Sequence, residues 1–243
     1  AGFKKDFLAI KEKGFVPSTR IHDTGIGKTF EDLVGIHENN NFLADYRDVL
    51  EIKSSRELSV SMVTLFTKSP TSPQRANFLL TQHYGYPDEQ FPAVKVLHTT
   101  VSATNFNSLK NKYGFKLHVS DQLGMISIVI KNLETGEVID DSTYFTFDDL
   151  CERVEKKCKN VAYISADSRK ENDKEFFKFT KAVLLSGLTF DKFIEFIKKG
   201  LIIYDIRCGV YGGGKQKGKP HDHGAGFRLL KRNLPAVFHM EEL

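Results

Sequence analysis

Tryptophan is missing from this chain, and cysteine is nearly so: Cys151, Cys158 and Cys208 are an odd set that shares no CxxC spacing. That fits a reducing, cytoplasmic setting better than a disulfide framework. Cys151 and Cys158 lie seven apart on a predicted helix, so they share one face and are expected to serve as small apolar residues. No apolar run approaches the ~20 residues of a membrane span, so no membrane partner is expected. The opening Ala1-Gly2-Phe3-Lys4-Lys5 has no h-region and does not read as a secretory signal. It also lacks an initiator Met, which leaves processing, a tag remnant or excision from a longer chain open. A strong charge of one sign is absent too. Lys and Arg number 35 against 31 Asp and Glu, a net +4 that permits a nucleic-acid partner without requiring one.

What is present is enough for one large domain or two small lobes: 243 residues, 40% hydrophobic and 27% charged, with 20 Phe to build a core. Periodicity predicts helices over 3–13, 29–34, 75–84, 148–159 and 190–199. Strands are expected at 49–53, 62–66, 93–101, 113–119, 124–131, 137–147, 161–165 and 201–211. Glu134-Thr135-Gly136 reads as a hairpin turn, and 212–226 as a Gly- and Lys-rich loop. Helices flanking a few strands, with an antiparallel block between them, argue for an α/β or α+β architecture. The cluster Phe176-Phe177-x-Phe179 reads as core.

Asp45-Tyr46-Arg47-Asp48-Val49-Leu50-Glu51-Ile52-Lys53 has the form D-x5-E-x-K. On a strand, Glu51 and Lys53 point to one face while Ile52 enters the core. Asp45 can bring a second carboxylate, and with the Ile52 carbonyl the set makes an oxygen-rich site for Mg²⁺. A lysine there can orient a water or stabilise charge on a phosphate, which is the chemistry of hydrolytic nucleases. The spacing is unspecific by itself. Asp148 with Glu155-Lys156-Lys157 satisfies a similar pattern, but on a predicted helix, where positions i and i+2 diverge by about 200°. Thr24-Gly25-Ile26-Gly27-Lys28-Thr29 imitates the end of a P-loop. The full motif needs Gly at position 22, which is His22, and no buried strand precedes it, so an NTPase is not expected.

Several blocks then fall in the order found in one group of nucleases. They are Thr24 to Leu33, the Asp45…Glu51-Ile52-Lys53 unit, Thr64-Leu65-Phe66-Thr67-Lys68-Ser69-Pro70, Asp205-Ile206-Arg207, and His221-Asp222-His223-Gly224 followed by Phe227-Arg228. The chain resembles the MvaI/BcnI-type restriction endonucleases over most of its length, the His-Asp-His-Gly run especially the MvaI branch. The resemblance implies a monomeric type II enzyme related to the nicking nuclease MutH. It implies a PD-(D/E)xK fold, a mixed central sheet flanked by helices, in two lobes that form a DNA clamp. The lobes are expected at 1–88 with 159–188 for catalysis, and at 89–158 with 189–243 for recognition. On this reading Asp45 and Glu51 are the metal carboxylates, Lys53 the catalytic lysine, and Glu31 a helical carboxylate at the edge of the site. The family's interval from Asp to Glu is one residue shorter, which makes Asp48 the rival of Asp45; the place of Asp45 after the Asn39-Asn40-Asn41 turn favours Asp45.

Arg207 and Arg228 flank a loop that carries Lys215, Lys217, Lys219, His221 and His223. Arg suits guanine edges in the major groove, and lysines suit phosphates, which orient a protein without reading sequence. Residues alone give this loop a generic anion-binding role, and a zinc site is not expected for want of ligand partners. With the resemblance, base readout by Arg207, His221, Asp222, His223 and Arg228 becomes the expectation, at a short C/G-rich near-palindromic site of the CCNGG kind with a central A·T pair. Lys68, Ser69, Arg75 and Asn77 are candidates for holding the DNA backbone, while His83, His98 and His118 are expected to be structural. Double-stranded DNA is the expected partner and a DNA methyltransferase the expected genetic one. The competing readings are a MutH-like nicking nuclease and a DNA-binding module without nuclease activity.

Overall fold

The computed structural model describes residues 2–21, 24–36, 46, 49–56 and 62–243. The chain divides into two compact units, Ala1–Ser61 with Glu155–Leu188 and Phe238–Leu243, and Met62–Val154 with Thr189–Val237. Elements are numbered along the chain.

The first unit holds helices α1 (Gly2–Glu12) and α2 (Gly25–Leu33) and strands β1 (Phe15–Pro17), β2 (Glu51–Arg56), β9 (Asn160–Glu171), β10 (Lys174–Ser186) and β14 (His239–Glu242). Its sheet runs β1-β10-β9-β2, with β14 also on β10. Among the described residues β2 is an edge strand, and it pairs in parallel with β9. The other strand pairs are antiparallel, so the sheet is mixed. Phe3, Phe7 and Ile10 of α1 and Ile26 and Phe30 of α2 share one core with Ile52, Ala162, Ile164, Phe177 and Phe179. The alternation of β2 therefore does what the motif requires: Ile52 goes into the core, and Glu51 and Lys53 go to the opposite face. Phe177 and Phe179 are fully buried, as the sequence suggested.

The second unit holds a meander of β6 (Tyr113–Ser120), β7 (Met125–Asn132) and β8 (Val138–Thr146). Its larger sheet runs β3 (Met62–Thr67), β13 (Gly226–Leu230), β11 (Ile202–Val210), β5 (Lys95–Val101) and β4 (Tyr86–Pro87), with β12 (Pro220–Asp222) also on β11. Helices α3 (Ala76–Tyr84) and α5 (Phe190–Lys198) pack on that sheet, and a short α6 (Leu234–Val237) follows β13. Helix α4 (Phe147–Lys157) runs through the unit boundary. Phe66, Phe145, Phe193, Tyr204 and Phe227 form the aromatic centre, with ring centroids 4.9–5.6 Å apart. Such edge and tilted contacts add to burial. Helix α5 begins at Thr189, whose side chain accepts from Lys192 N, and ends before Gly200, whose φ of +71° suits glycine.

The two units divide the chain elsewhere than the expected lobes, and one hairpin is longer than the pattern shows. The first boundary falls after residue 61 rather than 88, because β3 pairs with β13 and α3 packs on β5 and β11. The second falls at 154–155, inside α4, and the last six residues return to the first unit through the β14–β10 pairing. The long hairpin of β9 and β10 was invisible beyond residue 165. Its turn is Asn172-Asp173, both with positive φ (+47° and +63°), a non-glycine solution that Asn and Asp tolerate.

Candidate functional site

Glu51, the first residue of β2, is 4% exposed although it is a carboxylate. Burying such a charge requires partners, and it has two. Lys53 Nζ donates to Oε1 at 2.7 Å and Lys157 Nζ to Oε2 at 2.9 Å. Lys157 is the last residue of α4 and belongs to the same unit. It belongs to the look-alike motif, in which helical geometry keeps positions i and i+2 from sharing a site. The helix reading of that motif is correct, since Glu155 to Lys157 close α4. The lysine enters instead by folding, a contact between residues 106 apart that no local pattern signals. Beside it, the Cys158 thiol is fully buried, and burial pushes its pKa up to about 12. It is therefore held as an uncharged apolar group, not a nucleophile.

Asp45 and its rival Asp48 lie outside the described residues. Glu31 is half-buried on α2, a helix that packs against β2. Ile52 is core, and its backbone lies between the two catalytic candidates. Among the described residues no three His, Cys, Asp or Glu side chains group as metal ligands.

The second unit carries a different arrangement. In an antiparallel sheet, residues directly opposite one another share a face. Arg207 of β11 stands opposite His98 of β5, Asp205 opposite Thr100, and Gly209 opposite His221 of β12. Arg228 lies on the same face, opposite Ile203 of β11 and Thr64 of β3. The other face carries Tyr204, Ile206 and Phe227, all fully buried. One side of this sheet is thus core and the other a polar plateau.

Asp205 is the hub of that plateau. Its Oδ2 accepts from Arg207 Nε at 2.6 Å and lies 3.0 Å from Arg228 Nε, near enough for an ion pair though out of line for a hydrogen bond. Its Oδ1 accepts from Thr100 at 3.0 Å. Arg228 is only 5% exposed. Its guanidinium also donates to Thr64 Oγ1 and to the Gly224 carbonyl. Burial, more than any neighbour, lowers its pKa. It organises the plateau from below, whereas Arg207 is partly open to solvent.

Asp222 is similarly committed. Oδ1 accepts from the backbone of Gly224 (3.0 Å) and Ala225 (2.7 Å), and Oδ2 from Asn77 Nδ2 at 2.8 Å. Asn77 is buried, accepts from Tyr204 OH, and donates to Ser69, so it braces the His221–Gly224 turn from α3. His221 stacks on Tyr211 at 4.0 Å and meets His223 edge-on at 4.6 Å. Lys215, Lys217 and Lys219 are exposed on a loop closed by Tyr211 N to Lys219 O (3.0 Å) and Gly218 N to Tyr211 O (2.9 Å). Lys68 lies 3.4 Å from Asp149, and the exposed Arg75 covers the Phe78 ring at 4.4 Å.

The structure thus brings Arg207, His221, His223 and Arg228 together and adds Asp205, Thr100 and His98, whereas Asp222, opposite Cys208, turns to the α3 side of the sheet and holds the turn from there. His98 was expected to be structural; it is exposed on the plateau instead. The alternation of His98 and Thr100, after the fully buried Leu97, was the available signal.

Comparison with known proteins agrees with this geometry. The model of the MvaI/BcnI restriction endonuclease family matches residues 4–238. Among solved structures, a complex of restriction endonuclease MvaI with cognate DNA substrate is 36% identical, with a TM-score of 0.91, over 99% of this chain and 96% of that one. Restriction endonuclease MvaI in the absence of DNA, also 36% identical, gives 0.61 over 98% and 95%. Curated proteins give no match.

Proposed function

The chain belongs to the MvaI/BcnI restriction endonuclease family and is a type II restriction endonuclease; from that premise we propose that it hydrolyses phosphodiester bonds of double-stranded DNA at a short C/G-rich near-palindromic site of the CCNGG kind. The first unit cuts and the second reads. The observation that carries the cutting role is the buried Glu51 carboxylate gripped by Lys53 and Lys157 on a strand whose intervening residue, Ile52, is core. DNA as partner is supported by the solved MvaI complex with its cognate substrate.

The donor set suits Mg²⁺. It is all oxygen: the Glu51 carboxylate, the Ile52 carbonyl and, by the motif, Asp45, with Glu31 at the edge. Each Glu51 oxygen accepts one ammonium proton and keeps a second acceptor direction for a hard cation. When bound, Mg²⁺ supplies Lewis-acid polarisation of the scissile phosphate. The chain's own residues do the rest. Glu51 holds its carboxylate in one orientation because both oxygens are tied. Lys53 sits one strand repeat away on the same face, where its ammonium can orient the attacking water and stabilise charge on the phosphate oxygens. Water forms one P–O bond and gives up a proton, the bond to the leaving oxygen breaks, and the leaving oxygen takes up a proton from solvent, so that none is gained or lost overall. Lys157 acts through Glu51 as a positioning residue.

On the reading side, Arg207 would use its remaining guanidinium donors on a guanine edge. His221 and His223 sit beside it, while Asp222 and Arg228 set the shape of the turn. Lys68, Arg75, Lys215, Lys217 and Lys219 serve phosphates. A monomer with one such site cuts the strands in succession. A cognate methyltransferase in the same cytoplasm would protect the host site.

A time course on supercoiled plasmid with Mg²⁺ tests this. Nicked circles should appear first and convert to linear DNA, and Glu51→Gln protein should give neither. A product that stays nicked would make the enzyme a nicking nuclease, and no Mg²⁺-dependent scission would leave a binding module.

A further inference from the structure

Three imidazoles crowd the plateau around a residue that has no side chain. A Cβ on Gly209 would lie 3.0 Å from both Cδ2 and Nε2 of His223 and 3.2 Å from His98 Nε2. Both approaches are tighter than ordinary van der Waals contact, so glycine keeps these two rings where they are. His221 stands opposite Gly209 in the β11–β12 register and touches His223 edge-on.

His98 faces Arg207 directly across the β5–β11 pair. With Arg207, His223 and Asn107 it lines an open recess of about 650 Å³. Its pKa is lowered, first by partial desolvation of the ring in the recess and then by His223; Arg207 acts the same way and Asp205 and Asp88 oppose it. Near neutral pH His98 is therefore an uncharged ring with one donor and one acceptor. That is a poor phosphate ligand, since phosphates are held by cations, and a fitting partner for a base edge. His223 is polarised in a complementary way. Its Nε2 lies 3.1 Å from the Val210 carbonyl, which can only accept. Nε2 therefore carries a proton, which fixes how the ring is turned.

We propose that His98 is a further specificity-determining residue, reading a base edge beside Arg207 and His223 in the space that Gly209 leaves between the rings. This rests on the reading of the chain as a site-specific endonuclease. The solvent exposure of His98 makes His98→Ala and His98→Gln tolerable to the fold, and Gly209→Ala probes the same space by crowding the two rings without replacing either.

The test is equilibrium binding, without added metal, of wild type, His98→Ala, His98→Gln, Gly209→Ala and Arg207→Ala to a duplex carrying the enzyme's own site. Each protein is also measured on duplexes with one base pair of the site changed. His98→Ala should lose discrimination by about tenfold or more at one base-pair position. His98→Gln should restore part of it, and Gly209→Ala should weaken the same position. An equal loss of affinity on every duplex would make His98 a structural or phosphate contact and overturn the proposal. Full discrimination in His98→Ala, with loss in Arg207→Ala, would overturn it while leaving the reading face intact. Full discrimination in both would sink the assignment of that face to base readout.

Discussion

Lys157 Nζ stands 2.9 Å from Glu51 Oε2 while Lys53 Nζ holds Oε1 at 2.7 Å, so a buried carboxylate has each oxygen tied to a different ammonium. One lysine comes two residues along the strand, the other from the end of a helix. If Lys157 fixes the carboxylate, Lys157→Ala should lower cleavage by about 10- to 100-fold and raise the Mg²⁺ requirement. Lys157→Arg should recover part of both. Calorimetric titration of Ca²⁺ into the DNA complex separates this from a folding defect: weaker ion binding with an unchanged melting temperature is expected.

Lys53 and Glu51 themselves should behave as chemistry rather than binding residues. Lys53→Ala and Glu51→Gln are expected to slow single-turnover cleavage by about 10²–10⁴-fold. Affinity for the same duplex without metal should stay within a few-fold of wild type. A Lys53→Ala protein that cuts at the wild-type rate would remove Lys53 from the site.

Arg228 offers a stability prediction. It is as buried as Asp205, and both depend on one another for charge compensation. Arg228→Ala leaves Asp205 with Arg207 alone and frees the Gly224 carbonyl. A loss of about 3 kcal/mol follows from breaking a buried pair, read from the shift of the urea midpoint. Arg207→Ala, removing a half-open partner, should cost clearly less.

Acid should erode the selectivity of the plateau. His98 and His221 both have lowered pKa values, chiefly from burial, with His223 adding to each; Asp222 opposes the shift at His221. Their native pKa values lie below the unfolded value near 6.5. As pH falls through that region the unfolded chain takes up protons first, so stability supplied by the neutral rings is present above it and lost below it. In the complex, protonation adds cations beside Arg207, which strengthens phosphate attraction and weakens base reading. The ratio of specific to nonspecific affinity should fall between pH 7 and 5, and less so in His98→Gln.

The loop lysines should act on salt dependence alone. Replacing Lys215, Lys217 or Lys219 by Ala removes one phosphate ligand, and each such change should flatten the slope of log affinity against log salt by up to about 0.9. The pattern of cut sites should not change.

Much of this was legible in the residues. The strand alternation of Glu51, Ile52 and Lys53 follows from side-chain period alone, and the core of Phe177 and Phe179 from their clustering. The place of Lys157 was not legible, because its contact with Glu51 is set by how α4 ends over β2, a tertiary fact. The same holds for Arg228: a charged residue in a Gly- and Lys-rich neighbourhood reads as surface, and only the pairing of β13 with β3 and β11 buries it. The exposure of His98 was hidden for the opposite reason, since a histidine in an apolar strand suggests core until the buried face is known. Asp45 and Asp48 lie outside the described residues, so the second carboxylate remains an assignment by motif.

The most direct measurement is incubation with a sequence-diverse plasmid and Mg²⁺, followed by sequencing of every fragment end, with wild type beside Glu51→Gln. Wild-type ends should share one short C/G-rich near-palindrome, and Glu51→Gln should give no ends. Ends without a common sequence, or the same ends from the Glu51→Gln protein, would contradict the reading of the chain as a site-specific endonuclease that cuts with Glu51.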